Sequence, residues 1–288
     1  MTLPTFVVIG SAKSGTSSLY EYVEGHPQVF MSRTKELQYF CAAFPPELRL
    51  DSSLALGQAW YEEQFADAGD AIAIGEASTH YTLLPWSAGT AARMASVIPD
   101  AQLIYLMRDP VERALSHYVH WVRTGNETLP VEQALRTQGI YLAASRYATQ
   151  LDEYLAHFPR EQILLLTTDE LRDERTATLQ RTFEFIGVDP AWVPDALARE
   201  FNRATDQRTP RRALEIARRV PGGRLLARTV PRDVVVATKR RLLTRPTVDP
   251  KIAEISDATR GAIRDELGAD IVGLRRYLGA DFHCWGLA

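Results

Sequence analysis

The 288-residue chain is poor in cysteine and in lysine, and it has no long apolar run. Its two cysteines, Cys41 and Cys284, stand far apart and outside any Cys/His spacing of a zinc site. They allow at most one disulfide, and are expected unpaired in a reducing compartment, with no bound metal. No stretch approaches the roughly eighteen consecutive apolar residues of a spanning helix, so no membrane span is expected. Met1 to Pro4 carries no basic region before a strand pattern begins at Phe6, so no secretory leader is expected either. Only four of the 33 basic residues are lysines: Lys13, Lys35, Lys239 and Lys251. Each lysine position is therefore informative. Arginine-rich usage without an anchor points to a bacterial, cytoplasmic protein.

A net charge of −3 is ordinary, but the charges are unevenly spread. Thirteen basic residues face three acids between Arg203 and Arg245, so the remainder of the chain carries −13. Pro210, Pro221, Pro231 and Pro246, with Gly222 and Gly223, punctuate that stretch. It reads as helical pieces joined by turns, a basic lid within a single 1–288 domain.

Strands alternate with helices along the rest of the chain. Thr5–Ile9 is a buried strand, Gly10 to Gly15 a glycine-bounded loop, and Thr16–Glu24 a helix with Gly25 at its C′ position. Ala71–Gly75 reads as a strand delivering Glu76 at its end, and Gln102–Met107 as a strand running into Arg108. Asp109, Pro110 and Glu112 then give a capping-box start to a helix. Further patterns follow: a helix over Arg146–His157, a strand over Gln162–Thr167, a helix over Thr176–Ile186, and helix again over 250–278. This alternation predicts an α/β fold: a P-loop-like parallel sheet covered by helices on both faces. Ligands of such sheets bind beyond the carboxyl ends of the strands, where Gly10, Glu76 and Arg108 fall.

The Gly10–Ser17 loop (GSAKSGTS) links a strand to a helix, which is the setting of an anion site. It is not a Walker loop. Thr16 stands where a Walker lysine belongs, and the lysine sits within the loop at position 13. The alternatives are a plain turn with a surface lysine, or a variant triphosphatase loop. Lys35-Glu36 before Tyr39-Phe40 is not a core pattern either, although Glu36 could simply pair with Lys35 at the surface.

In order along the chain stand GxxKxGTS (Gly10–Ser17), His26-Pro27, KExxYF (Lys35–Phe40), GExS (Gly75–Ser78) and RDPxERxxSxY (Arg108–Tyr118). Tyr147–Pro159, Val248-Asp249-Pro250 and the C-terminal Asp281-Phe282 and Trp285 extend the pattern. This series resembles the sulfotransferases that use 3′-phosphoadenosine 5′-phosphosulfate (PAPS), in the branch of heparan sulfate sulfotransferases and their soluble bacterial relatives.

The resemblance implies transfer of a sulfuryl group from PAPS to an acceptor hydroxyl, on a glycan or a small molecule, leaving adenosine 3′,5′-bisphosphate. It assigns the 5′-phosphosulfate to Lys13, Ser14, Gly15, Thr16 and Ser17, and the 3′-phosphate to Arg108 and Ser116. Ser116 lies about two helical turns past Arg108. Glu36 matches the family's general base, and such a base at neutral pH should have its pKa raised, with Glu76 as the neighbouring acid. His80 is the rival base, and His26 is read as fixing the helix exit. Arg245 and Arg208 are the candidates for the late basic loop that closes over the donor. Two positions depart from the heparan-type pattern: Ala77 replaces a lysine and Gln38 a histidine. Both put a heparan-like acceptor in doubt.

The implied chemistry is in-line displacement at sulfur with no metal; the Gln102–Met107 strand ends in Arg108, not in a metal-binding aspartate. Two rival readings are a P-loop small-molecule kinase, opposed by the missing lysine at 16, and a non-catalytic polyanion-binding module. Nucleic acid is not expected as a partner, because the basic stretch lacks interleaved aromatics. The oligomeric state is open.

Overall fold

The computed structural model describes residues 2–48, 50–194, 209–210, 244–245 and 250–287. Five strands form one parallel sheet: β1 (Phe6–Gly10), β2 (Val29–Met31), β3 (Ala73–Ala77), β4 (Gln102–Met107) and β5 (Ile163–Thr167). Their order is β2-β3-β1-β4-β5. The chain winds from β1 to one side, then crosses to β4 on the other. That reversal opens a crevice at the carboxyl ends of β1 and β4. Helices α1 (Thr16–Glu24), α2 (Gly57–Glu63), α3 (Thr90–Val97) and α4 (Pro110–Thr124) follow the first four strands. Then come α5 (Val131–Thr137), α6 (Ile140–Ala143), α7 (Tyr147–Leu155), α8 (Thr168–Asp173), α9 (Arg175–Phe185), α10 (Asp257–Gly273) and α11 (Arg275–Leu278).

Side chains alternate across the sheet because successive strand residues point to opposite faces. Val7, Ile9, Leu103, Tyr105, Met107 and Leu165 join the core beneath α3, α4, α7 and α10. Phe6, Val8, Ile104, Leu106 and Leu166 pack with α1 and α9 on the other face. With both faces covered, the strands read as continuous apolar runs.

Some local expectations needed correction. The second predicted strand begins two residues later, so Glu76 lies within β3 and pairs across from Val7. Gly25 is right-handed, at φ −69, and its smallness instead admits Trp192, whose ring would sit 3.2 Å from an added Cβ. The Asp109 cap holds, with Oδ1 accepting from Glu112 N at 2.9 Å. The reciprocal half of the box is replaced by an ion pair from Glu112 to Arg260 at 3.3 Å. The full capping box occurs at Thr167 and Glu170, ahead of α8.

Most of the basic 203–245 stretch, with Arg208 and the helical pieces expected there, lies outside the described residues. Thr209–Pro210 and Thr244–Arg245 form a short antiparallel pair, with the Arg245 backbone opposite Thr209. Val248 and Asp249 are also outside the described residues. Among the described residues no helix is long and apolar enough to cross a membrane.

Candidate active site

β1 ends where its pairing with β4 becomes irregular, between Val8 and Gly10. The chain leaves the sheet there with Gly10 at φ +154, and a side chain at 10 would collide with Thr82 Oγ1. Gly15, at φ +93, turns the loop into α1. Only glycine tolerates these two positions without strain.

Surrounding groups hold the loop by its carbonyls. Arg113 donates from Nη1 to Ala12 O at 3.3 Å, and Arg108 from Nη1 to Lys13 O at 3.4 Å. Thr168 donates to Ser14 O at 2.7 Å. The N–H groups of Lys13, Gly15, Thr16 and Ser17 donate to no described residue. The Ser14 hydroxyl is fully buried and makes no hydrogen bond of normal geometry. The first N–H groups of a helix have no partner within it, and a row of them on a glycine-bounded turn beside a buried hydroxyl is an anion cradle.

Positive charge gathers on the same loop. Burial lowers the Lys13 pKa to about 8, and the charges of Arg123, Arg108, Lys35 and Arg113 push the same way. Arg108 has no carboxylate partner among the described residues, because Asp109 caps α4 and Glu112 faces Arg260. Its carbonyl accepts from the Tyr147 hydroxyl at 2.7 Å. Arg113 is fully buried without a carboxylate; it donates to Ser145 Oγ at 2.6 Å and to Tyr141 O. Ser116 lies on α4, half-buried, and its hydroxyl bonds to no described residue.

Across the crevice stands Glu36. Its backbone N–H donates to Ala77 O at 2.8 Å, which fixes the segment against β3 at φ +64. Its carboxylate accepts from Thr79 N at 2.8 Å, from Thr79 Oγ1 at 3.1 Å and from Lys35 Nζ at 2.9 Å. Burial raises its pKa, but the Lys35 ammonium, nearby His80 and the Thr79 N–H outweigh burial and hold it below the ordinary value. This reverses the expectation of a raised pKa.

The raised acid is Glu76. Burial pushes it to about 7, against three hydroxyl donors, and the Glu36 charge adds to the push. Tyr61 donates to it at 2.6 Å, Tyr81 at 3.0 Å and Ser78 at 2.9 Å. His80 Nδ1 lies 3.8 Å from Glu36 Oε2 and 2.7 Å from the Gln38 amide nitrogen. Nδ1 therefore accepts from Gln38 and the ring proton sits on Nε2. Burial keeps His80 neutral, its pKa below the ordinary value. His26 takes no part: its ring contacts Phe183 and Trp192, and Nδ1 accepts from Gln28 N at 3.1 Å.

The structure thus brings Lys13, Ser14, Gly15, Thr16, Ser17 and Arg108 to one side of the crevice, and Glu36 and His80 to the other. The sequence reading missed Lys35, Thr79, Arg113 and Arg123 as site residues. One signal was available: Arg123 repeats at helical spacing from Ser116 along α4. Among the described residues no group of three or more His, Cys, Asp or Glu side chains is placed to hold a metal.

The model of the sulfotransferase family matches residues 4–194. The chain belongs to the sulfotransferase family. Among its relatives is the membrane-associated sulfotransferase kil1 of Dictyostelium discoideum, 38% identical over 138 residues. Those residues are 46% of this chain and 26% of the relative. Human heparan sulfate glucosamine 3-O-sulfotransferase 3B1 is 28% identical over 196 residues, covering 65% of this chain and 46% of that one. The chain therefore matches at most about half the length of these two curated relatives. A sulfotransferase from Alicyclobacillus acidocaldarius shares the fold, with a TM-score of 0.71 at 23% identity over 99% of this chain and all of the other. Mouse sulfotransferase SULT7A1 complexed with PAP gives a TM-score of 0.54 at 16% identity, over 98% and 87% of the two chains.

Proposed function

We propose that this sulfotransferase moves a sulfuryl group from PAPS to an acceptor hydroxyl, releasing adenosine 3′,5′-bisphosphate. The observation that carries the reading is the charge around the loop. Arg123, Arg108, Lys35 and Arg113 all lie close enough to Lys13 to press on its charge, beside four N–H groups without a described partner and the buried Ser14 hydroxyl. Positive charge gathered around a half-buried loop favours an anionic ligand. A donor with phosphate at both its 3′ and 5′ positions fits that charge.

When bound, PAPS supplies an activated sulfuryl group on a phosphate that leaves readily. Lys13 and the loop N–H groups hold the 5′ end and stabilise the charge left on the departing phosphate. Arg108 and Ser116 hold the 3′-phosphate; arginine suits a bidentate phosphate contact. Glu36 takes the acceptor proton as the acceptor oxygen bonds to sulfur and the bridging S–O bond breaks. His80 is disfavoured as base because its Nδ1 already accepts from Gln38. Its protonated Nε2 suits a hydrogen-bond donor to the acceptor.

The acceptor is a glycan or small-molecule hydroxyl. Ala77 and Gln38 argue against a heparan-like acceptor. We extend the reading to one domain over 1–288, with 203–245 as a basic cover over the donor, Arg208 and Arg245 included, and to a bacterial cytoplasmic setting. Thermal shifts test the donor site. Adenosine 3′,5′-bisphosphate should raise the melting temperature far more than ATP, which lacks the 3′-phosphate. Equal shifts would sink the assignment.

A further inference from the structure

Lys35 lies between the two halves of the site. Its Nζ is 2.9 Å from Glu36 Oε1 and 3.5 Å from Thr16 Oγ1, the first residue of α1. Its charge is also felt by Lys13 on the phosphate loop. The ammonium group has three donors on a flexible stem. Two of them are accounted for by these contacts, one at the limit of a hydrogen bond. The Glu36 carboxylate does not depend on Lys35 for its position. Thr79 holds it by the backbone N–H and by the hydroxyl, and the Glu36 backbone is pinned to Ala77. Lys35 can leave while Glu36 stays.

An anion seated on the loop would arrive beside Thr16 and compete with Glu36 for that ammonium. We propose that Lys35 couples donor binding to the base: on binding it passes from the Glu36 carboxylate to the 5′ anionic end of the donor, freeing Glu36 to take the acceptor proton. Lys35 is then a positioning residue, and Glu36 is withheld in the empty enzyme. The ion pair that holds the Glu36 pKa down is the restraint that is released. The inference rests on the PAPS reading above.

The test is a double-mutant cycle on the affinity for adenosine 3′,5′-bisphosphate, measured by calorimetry. Lys35→Met should weaken binding by about tenfold, the scale of one charged hydrogen bond. Glu36→Gln should tighten it by about threefold to tenfold, because Lys35 is released. In the Lys35→Met background, Glu36→Gln should change affinity by less than about twofold. Equal tightening in both backgrounds would mean that Glu36 repels the donor directly, and the coupling would be wrong. A Lys35→Met protein that binds as tightly as wild type would also overturn it. If the wild-type protein does not bind the bisphosphate at all, the donor reading itself fails. A second readout needs no Lys35 variant. The acid limb of kcat, which reports the donor complex, should lie at higher pH than the acid limb of kcat/KM for the donor. Coincident limbs contradict the coupling.

Discussion

Donor affinity should fall as pH rises from 7 to 9, and Lys13 is the reason. In the empty site its pKa is drawn to about 8, from an ordinary 10.5, by burial and by four neighbouring cations. A bound polyanion supplies the missing counter-charge and hydrogen-bond acceptors, which offset the cost of burying the ammonium. The pKa of Lys13 in the complex is then higher than in the free protein. A group whose pKa rises on binding takes up protons, so binding is strongest below the free pKa and is lost above it. With full restoration to the ordinary value, affinity at pH 9 would be about tenfold weaker than at pH 7. The ligand adds little to this slope, since the second ionisation of a phosphate monoester is near pH 6. Calorimetric titration with adenosine 3′,5′-bisphosphate at constant ionic strength measures it directly. Lys13→Arg keeps the charge and does not titrate in this range, so its affinity should be flat. A flat wild-type profile, or an unchanged slope in Lys13→Arg, would refute the electrostatic picture of the loop.

Two further outcomes are expected. Arg108→Ala should erase most of the preference for the bisphosphate over ATP, since a charged hydrogen bond contributes about 1.5–3 kcal/mol; competition binding checks this. Glu76, held near 7 in the fold, binds its proton more tightly there than in the unfolded chain. Its contribution to stability is therefore favourable at low pH and is lost as pH rises from about 4.5 through about 7. Relative to Glu76→Gln, the wild type should lose on the order of 3 kcal/mol between pH 5 and pH 8. Urea midpoints of the two proteins across that range measure the difference, and a constant gap would contradict it.

The parts of the fold readable from sequence are those with local causes. The buried run Gln102–Met107 followed by Asp109-Pro110 fixed both a strand and a helix start. β2 is three residues long and half-exposed, too brief to leave a pattern. At the site, residue types and spacing pointed to the loop, and the family resemblance pointed to Arg108 and Glu36. The protonation states were not readable. Glu36 is held ionised because Lys35 and Thr79 meet it in space, and Thr79 is 43 residues away. Glu76 is raised because the fold buries it completely without a positive charge, and the hydroxyls of Tyr61, Tyr81 and Ser78 offset that burial only in part. Such contacts between distant segments decide which of two adjacent acids is ionised, and spacing alone does not encode them.

The central claim is sulfuryl transfer with Glu36 as the base. Its most direct test is single-turnover transfer from sulfur-labelled PAPS across a panel of glycan and small-molecule hydroxyls. The wild-type protein should label at least one acceptor without added magnesium. Glu36→Gln should do so about 10²–10⁴-fold more slowly. Labelling at the wild-type rate by Glu36→Gln, together with its loss in His80→Ala, would move the base to His80. No labelled acceptor from any class, alongside magnesium-dependent phosphoryl transfer from ATP, would contradict the account altogether.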